Sequence, residues 1–126
     1  MLQNFLKAKL HHARVTHVEL EYEGSCAIDQ ELMWEVGILA NEQIHMYNLN
    51  NGERWVTYAI PAPTGSRIIS VNGAAAHKAN VHDRVIICSY AWLQEQEIAN
   101  HKPRVLRLDN KNNPLSNAQE QVFVAV

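Results

Sequence analysis

Two Asn-Gly dipeptides, Asn51-Gly52 and Asn72-Gly73, punctuate this chain between stretches in which apolar and polar residues alternate. Asn-Gly readily takes positive φ at successive positions, and between alternating runs it marks tight reversals from strand to strand. The first dipeptide joins QIHMYNL, where Ile44 and Met46 alternate, to ERWVTYAI, which predicts a hairpin over 43–60. The second closes SRIISVNG, a further strand. Pro61, Pro63 and Gly65 break the chain between them.

The same period recurs on both sides of this region. Val18, Leu20 and Tyr22 alternate with Glu19, Glu21 and Glu23, as in a half-buried strand. The preceding KAKLHHARVTH mixes β-branched and apolar residues with bases and belongs to a long, bent β-element. RVIICSYAWL predicts a buried apolar strand, PRVLRLD a strand, DNKNNP a polar loop and QVFVAV a terminal strand. Helical signals are few. Asp29 is placed to N-cap a helix over 30–36, in which Leu32, Met33 and Val36 fall at helical spacing and Gly37 suits the C′ position. AAAHKAN supplies a single helical turn, and LQEQEIAN a short helix halted before Pro103.

Many short strands with two or three helical pieces favour a mainly-β barrel or sandwich. At 126 residues the chain is one domain, 1–126, and its 47% hydrophobic content is ample for a core. The formal net charge of -2 gives no positive field for nucleic acid or anionic membrane. No apolar run reaches the length of a membrane span, and MLQNFLKAKLHHARV lacks the apolar block of a secretory signal. Two cysteines, Cys26 and Cys88, make no disulfide framework and predict a reduced, cytoplasmic protein.

Most of the reactive residues read as ordinary ones. The histidines at 11, 12, 17, 45, 77, 82 and 101 are scattered, without HExxH or His-x-His, so no metal site is predicted. Cys88 reads as a small buried hydrophobe, and the glycines form no phosphate-binding loop. YEGSCAID, residues 22–29, is different. A hydroxyl directly after glycine can attack the preceding carbonyl and turn the Gly24-Ser25 amide into an ester. No Cβ at Gly24 obstructs that attack, and glycine tolerates a twisted backbone. The pair alone is a weak signal, since Gly65-Ser66 also occurs and reads as an ordinary turn.

YEGSCAID, NGERWVTYAI and TGSRIISVNGAAAHKA together closely resemble the pyruvoyl-dependent aspartate 1-decarboxylase family, in register over roughly residues 1 to 92. The resemblance implies a six-stranded double-psi β-barrel with a few short helices, in a homotetramer with active sites between subunits. It implies self-cleavage between Gly24 and Ser25, giving a β chain 1–24 and an α chain 25–126 that begins with a pyruvoyl group derived from Ser25. Thr57 matches the residue that stabilises the oxyanion of that step. The pyruvoyl carbonyl would form a Schiff base with L-aspartate and yield β-alanine and CO2 for pantothenate and coenzyme A synthesis. Arg54 matches the carboxylate-binding residue and Lys9 a second base near it. Tyr58 matches the proton donor, and Asn72, Gly73, Ala74 and Ala75 the substrate-holding segment. His11, Tyr22 and Tyr47 match supporting positions, Tyr47 where many relatives carry tryptophan. A maturation partner for the cleavage is compatible with the resemblance. Two other readings remain open from the residues: a non-catalytic barrel that binds a partner, and a pyruvoyl decarboxylase for another acidic amino acid such as glutamate.

Overall fold

The computed structural model describes residues 1–115 of the chain. The described residues carry eight strands: β1 Gln3–Arg14, β2 His17–Glu19, β3 Ser25–Asp29, β4 Gln43–Asn48, β5 Arg54–Ala62, β6 Ile69–Asn72, β7 Arg84–Leu93 and β8 Arg104–Arg107. Two α-helices, α1 Gln30–Val36 and α2 Glu95–Ile98, and a 3-10 helix at Gly73–Lys78 lie between them. The fold is mainly β. Its strands follow the order β2-β6-β3-β5-β4-β7-β1-β8, with parallel pairs β2/β6, β3/β5 and β1/β8 among antiparallel ones.

The core is one apolar cluster built from alternate residues of the strands. It includes Ala8 and Leu10 of β1, Ile28 of β3, Ile44 and Met46 of β4, Ile69 and Val71 of β6, and Val85 and Ile87 of β7. Leu32, Met33 and Val36 of α1 close it on one side. The helix has the predicted bounds because its signals are local. Asp29 accepts from the Glu31 N–H at 2.9 Å, and Gly37 at φ 76 returns its N–H to the Met33 carbonyl. The hairpin β4–β5 forms in register about the loop that holds Asn51-Gly52, with Tyr47 opposite Arg54 and Gln43 opposite Tyr58. β1 is the long, bent element expected: its register against β7 slips twice, and His12 takes φ 63 at the second slip.

Several expectations are corrected. The alternating run at 18–23 is a strand only to Glu19, and Leu20 and Tyr22 are 49% and 60% exposed. The reason is topological. β2 and β3 flank β6 on opposite sides, and Glu19 and Ser25 both pair with Asn72. Residues 20–24 therefore have to pass over the end of β6 and cannot continue as a strand. The strand read as starting at Ser66 begins at Ile69, because Gly65 and Arg67 donate their N–H groups to the Asp29 carboxylate instead of to a ladder. Pro61 does not end β5, which runs to Ala62. β4 accompanies β5 only as far as Tyr58, so beyond it the side away from β3 has no strand ladder for a missing N–H to disrupt. The turn at 74–80 extends to a six-residue 3-10 helix. β7 is buried at Val85 and from Ile87 to Ser89 but opens in its second half, where Trp92 is 65% exposed. The polar loop at 109–114 has a buried centre: Asn112 accepts from the Arg14 N–H at 2.7 Å and donates to the Arg14 and Arg67 carbonyls. QVFVAV lies outside the described residues.

Candidate active site

Ser25 is the first residue of β3 and is 2% exposed. Its antiparallel partner is Asn72, whose Nδ2 donates to Ser25 Oγ at 3.0 Å. Asn72 Oδ1 in turn accepts from Ser70 Oγ at 2.7 Å. The Ser25 hydroxyl has a long contact to the Glu23 carbonyl at 3.4 Å. The Ser25 hydroxyl is thus buried and held by the Asn72 amide.

Gly24 lies directly over Gly73. A Cβ placed on Gly73, which has φ +72, would stand 2.7 Å from Gly24 Cα and 2.9 Å from its nitrogen. Only glycine at 73 lets the crossing segment sit against the end of β6. At Gly24 itself the space is open, and its φ is not in the left-handed region. Ground-state packing in the described residues therefore does not require glycine at 24. Next to this junction, Gly24, Thr57, Asn72, Ala74, Ala75 and Lys78 line a cavity of about 320 Å³ with Trp55 and Val56. Five predicted site residues meet here, with Ser25 and Gly73 adjoining them.

The remaining ones lie elsewhere. Arg54 and Tyr58 alternate with Thr57 along β5 and project from its other face. Arg54 stacks its guanidinium on the Tyr47 ring at 4.2 Å, and Tyr47 shares a 2.7 Å hydrogen bond with the Tyr90 hydroxyl. Burial first, then the Tyr47 hydrogen bond, raise the Tyr90 pKa well above its ordinary value. Lys9 on β1 stands opposite Cys88, and His45 of β4 stands opposite Cys88 on the other side. Burial pushes the Cys88 thiol up, and Lys9 partly offsets this. His11 is lowered to about 4, by burial first and then by His12, Lys9 and Arg107. Its ring stacks on His12 at 3.9 Å, and its buried Nδ1 has no partner among the described residues. Tyr22 lines an adjoining groove of about 460 Å³ with His17, Pro61, Ser70 and Asn72, the last shared with the first cavity. The predicted residues therefore gather in two groups, one about the Gly24-Ser25 junction and one about the Arg54–Tyr47 stack.

Sequence reasoning missed Ser70 and Tyr90. Ser70 could have been found from its i, i+2 spacing to Asn72 on one strand, whereas nothing in the sequence singles out Tyr90. Cys26 is fully buried and its thiol is pushed up to about 12 by burial, so it is no second nucleophile. Among the described residues, no three His, Cys, Asp or Glu side chains cluster to hold a metal ion.

A mainly-β fold that sets a buried serine after an exposed glycine, beside an asparagine amide, is in keeping with the family that the motifs resemble. Comparison with known families agrees. The profile described as aspartate decarboxylase matches residues 1–115. An aspartate 1-decarboxylase of Halorhodospira halophila is 62% identical over 112 residues, 89% of each chain. That of Psychromonas ingrahamii is 60% identical over 113 residues, 90% of each, and that of Pseudomonas aeruginosa 58% over 121, covering 96% of this chain and 95% of its own. The chain belongs to the aspartate decarboxylase family.

Proposed function

We propose that the chain is a self-processing, pyruvoyl-dependent enzyme that decarboxylates L-aspartate to β-alanine and CO2, supplying pantothenate and coenzyme A synthesis. The activity follows from family membership at this identity. The observation that carries the mechanism is the environment of Ser25: a buried hydroxyl after glycine, with a fixed N–H donor on its oxygen. Ser25 attacks the Gly24 carbonyl, and Thr57, which lines the same cavity, is the donor for the resulting oxyanion. The residues present fit a pyruvoyl group made from Ser25, because Ser25 is buried and its neighbours at the junction, Gly24, Gly73, Ala74 and Ala75, are small. Once formed, that group supplies a carbonyl that takes up the substrate amine and draws off the electrons left by departing CO2.

The other group of residues does the binding. The Arg54 guanidinium, braced on Tyr47, takes the carboxylate that stays, with Lys9 beside it. Pairing these cations with the departing carboxylate would instead favour the ground state. Tyr58 returns a proton to the carbon that lost CO2. His11 and Tyr22 shape the pocket, and Asn72 to Ala75 hold the substrate through backbone and amide groups. A homotetramer, as the family resemblance implies, would let the Arg54 of one copy complete the site at the Ser25 of its neighbour.

Closure into a double-psi barrel is supported by the strand order, although the described residues carry eight strands against the six that the resemblance implies. β1 and β2 sit near opposite ends of that order, yet only Val15 and Thr16 separate them. Thr16 also bonds Ile69 through both its N–H and its hydroxyl oxygen, which draws those ends together. No helix among the described residues is long and apolar enough to cross a membrane, in keeping with a cytoplasmic enzyme.

Intact-mass measurement tests the proposal. The 14.3 kDa chain is expected to divide into fragments 1–24 and 25–126, with aspartate-dependent CO2 release. Ser25→Ala should stay whole and inactive. A wild-type chain that never divides on prolonged warming, alone or with a maturation partner, and releases no CO2 would overturn it.

A further inference from the structure

Two residues before Asn72, β6 carries a buried serine with no role in the account above. Ser70 is 7% exposed and Asn72 3%, and both side chains lie on one face of the strand. The Ser70 hydroxyl donates to Asn72 Oδ1 at 2.7 Å, and Asn72 Nδ2 donates to Ser25 Oγ at 3.0 Å. A primary amide has a donor end and an acceptor end, and half a turn about its last bond exchanges them. A hydroxyl proton seated on the oxygen end opposes that exchange.

We propose that Ser70 is a positioning residue for the self-cleavage: it locks the Asn72 amide with its N–H toward Ser25 Oγ. The proposal rests on Ser25 being the cleavage nucleophile. In the first step Oγ loses its proton as it bonds to the Gly24 carbonyl carbon. The carbon–nitrogen bond then breaks, the Ser25 nitrogen takes a proton to become an amine, and the amide has become an ester. In the second step the Ser25 Cα loses a proton and the Cβ–Oγ bond breaks. Its electron pair leaves on the Gly24 carboxylate, and a dehydroalanine remains. Water then adds to it and ammonia departs, giving the pyruvoyl group. Oγ gains negative charge as its proton leaves and again as the Cβ–Oγ bond breaks, so a fixed N–H at 3.0 Å assists the deprotonation and the elimination. A turned amide would present its oxygen and oppose both.

The test follows precursor cleavage by intact mass across a pH series, with thermal unfolding measured alongside. Ser70→Ala should slow cleavage about tenfold, the worth of one neutral hydrogen bond, and move the half-maximal rate to higher pH. Ser70→Thr, which keeps the hydroxyl, should restore most of the rate. In an Asn72→Ala background Ser70→Ala should slow cleavage no further, since it acts through that amide. Three results would overturn the role: wild-type cleavage in Ser70→Ala, a Ser70→Thr variant as slow as alanine but equally stable to the wild type, or fully additive slowing in the double variant. Should Ser70→Ala not fold, Ser70→Cys keeps the shape with a weak donor, and it must cleave slowly for the role to stand. If the wild-type chain itself never divides after residue 24, the reading of Ser25 falls first; if only the Ser70 variants match wild type, this role alone falls.

Discussion

Two glycines at one crossing make different demands. Gly24 borders open space, whereas a methyl group on Gly73 would collide with Gly24 backbone and adopt a disfavoured φ. Gly73→Ala is therefore expected to destabilise the fold by about 1–3 kcal/mol, combining left-handed strain with a backbone clash. Gly24→Ala should unfold at nearly the wild-type temperature while cleaving poorly. Thermal unfolding of the two variants side by side checks this, and equal losses would contradict it. Such a contrast would separate a glycine required by the fold from one required by the proposed cleavage.

Asp29 couples two elements that are distant in the chain. It caps α1 through the Glu31 N–H and holds the 65–67 loop through the Gly65 and Arg67 N–H groups and the Arg67 guanidinium. Burial alone would raise its pKa, but these hydrogen bonds outweigh it and the net shift is downward from 3.8. A carboxylate with a depressed pKa stabilises the fold above its unfolded value and loses that contribution as pH falls through the folded one. Asp29→Asn turns an amide N–H toward backbone donors and should cost about 2–4 kcal/mol at neutral pH. Denaturant titrations should show the gap to wild type closing below about pH 4; a pH-independent gap would argue against this charge. The cap was legible in the sequence because its partner lies two residues on, as was the hairpin around Asn51-Gly52. The clasp on Gly65 and Arg67 was not, since it closes over 36 and 38 residues. The end of β2 at Glu19 was hidden for a related reason: alternation records which residues suit a strand, not where the chain has to cross β6.

For the whole molecule, the prediction concerns how the two groups of site residues meet. If Ser25 of one copy works with Arg54 of another, co-expressed Ser25→Ala and Arg54→Ala chains should regain about a quarter of wild-type activity in mixed oligomers. Each variant alone should be inactive, and no recovery in mixed oligomers would place the site within one chain. Sequence alone determined the mainly-β class, the Gly24-Ser25 junction and the set of residues that resemble a known decarboxylase, because strand period, turn pairs and motifs are local. Only the tertiary structure decided that β6 lies between β2 and β3, that Gly73 yields to Gly24, that Ser70 hydrogen-bonds Asn72, and that Arg54 stacks on Tyr47. Those facts depend on which strands become neighbours, and neighbours are chosen by burying one common core across long stretches of chain.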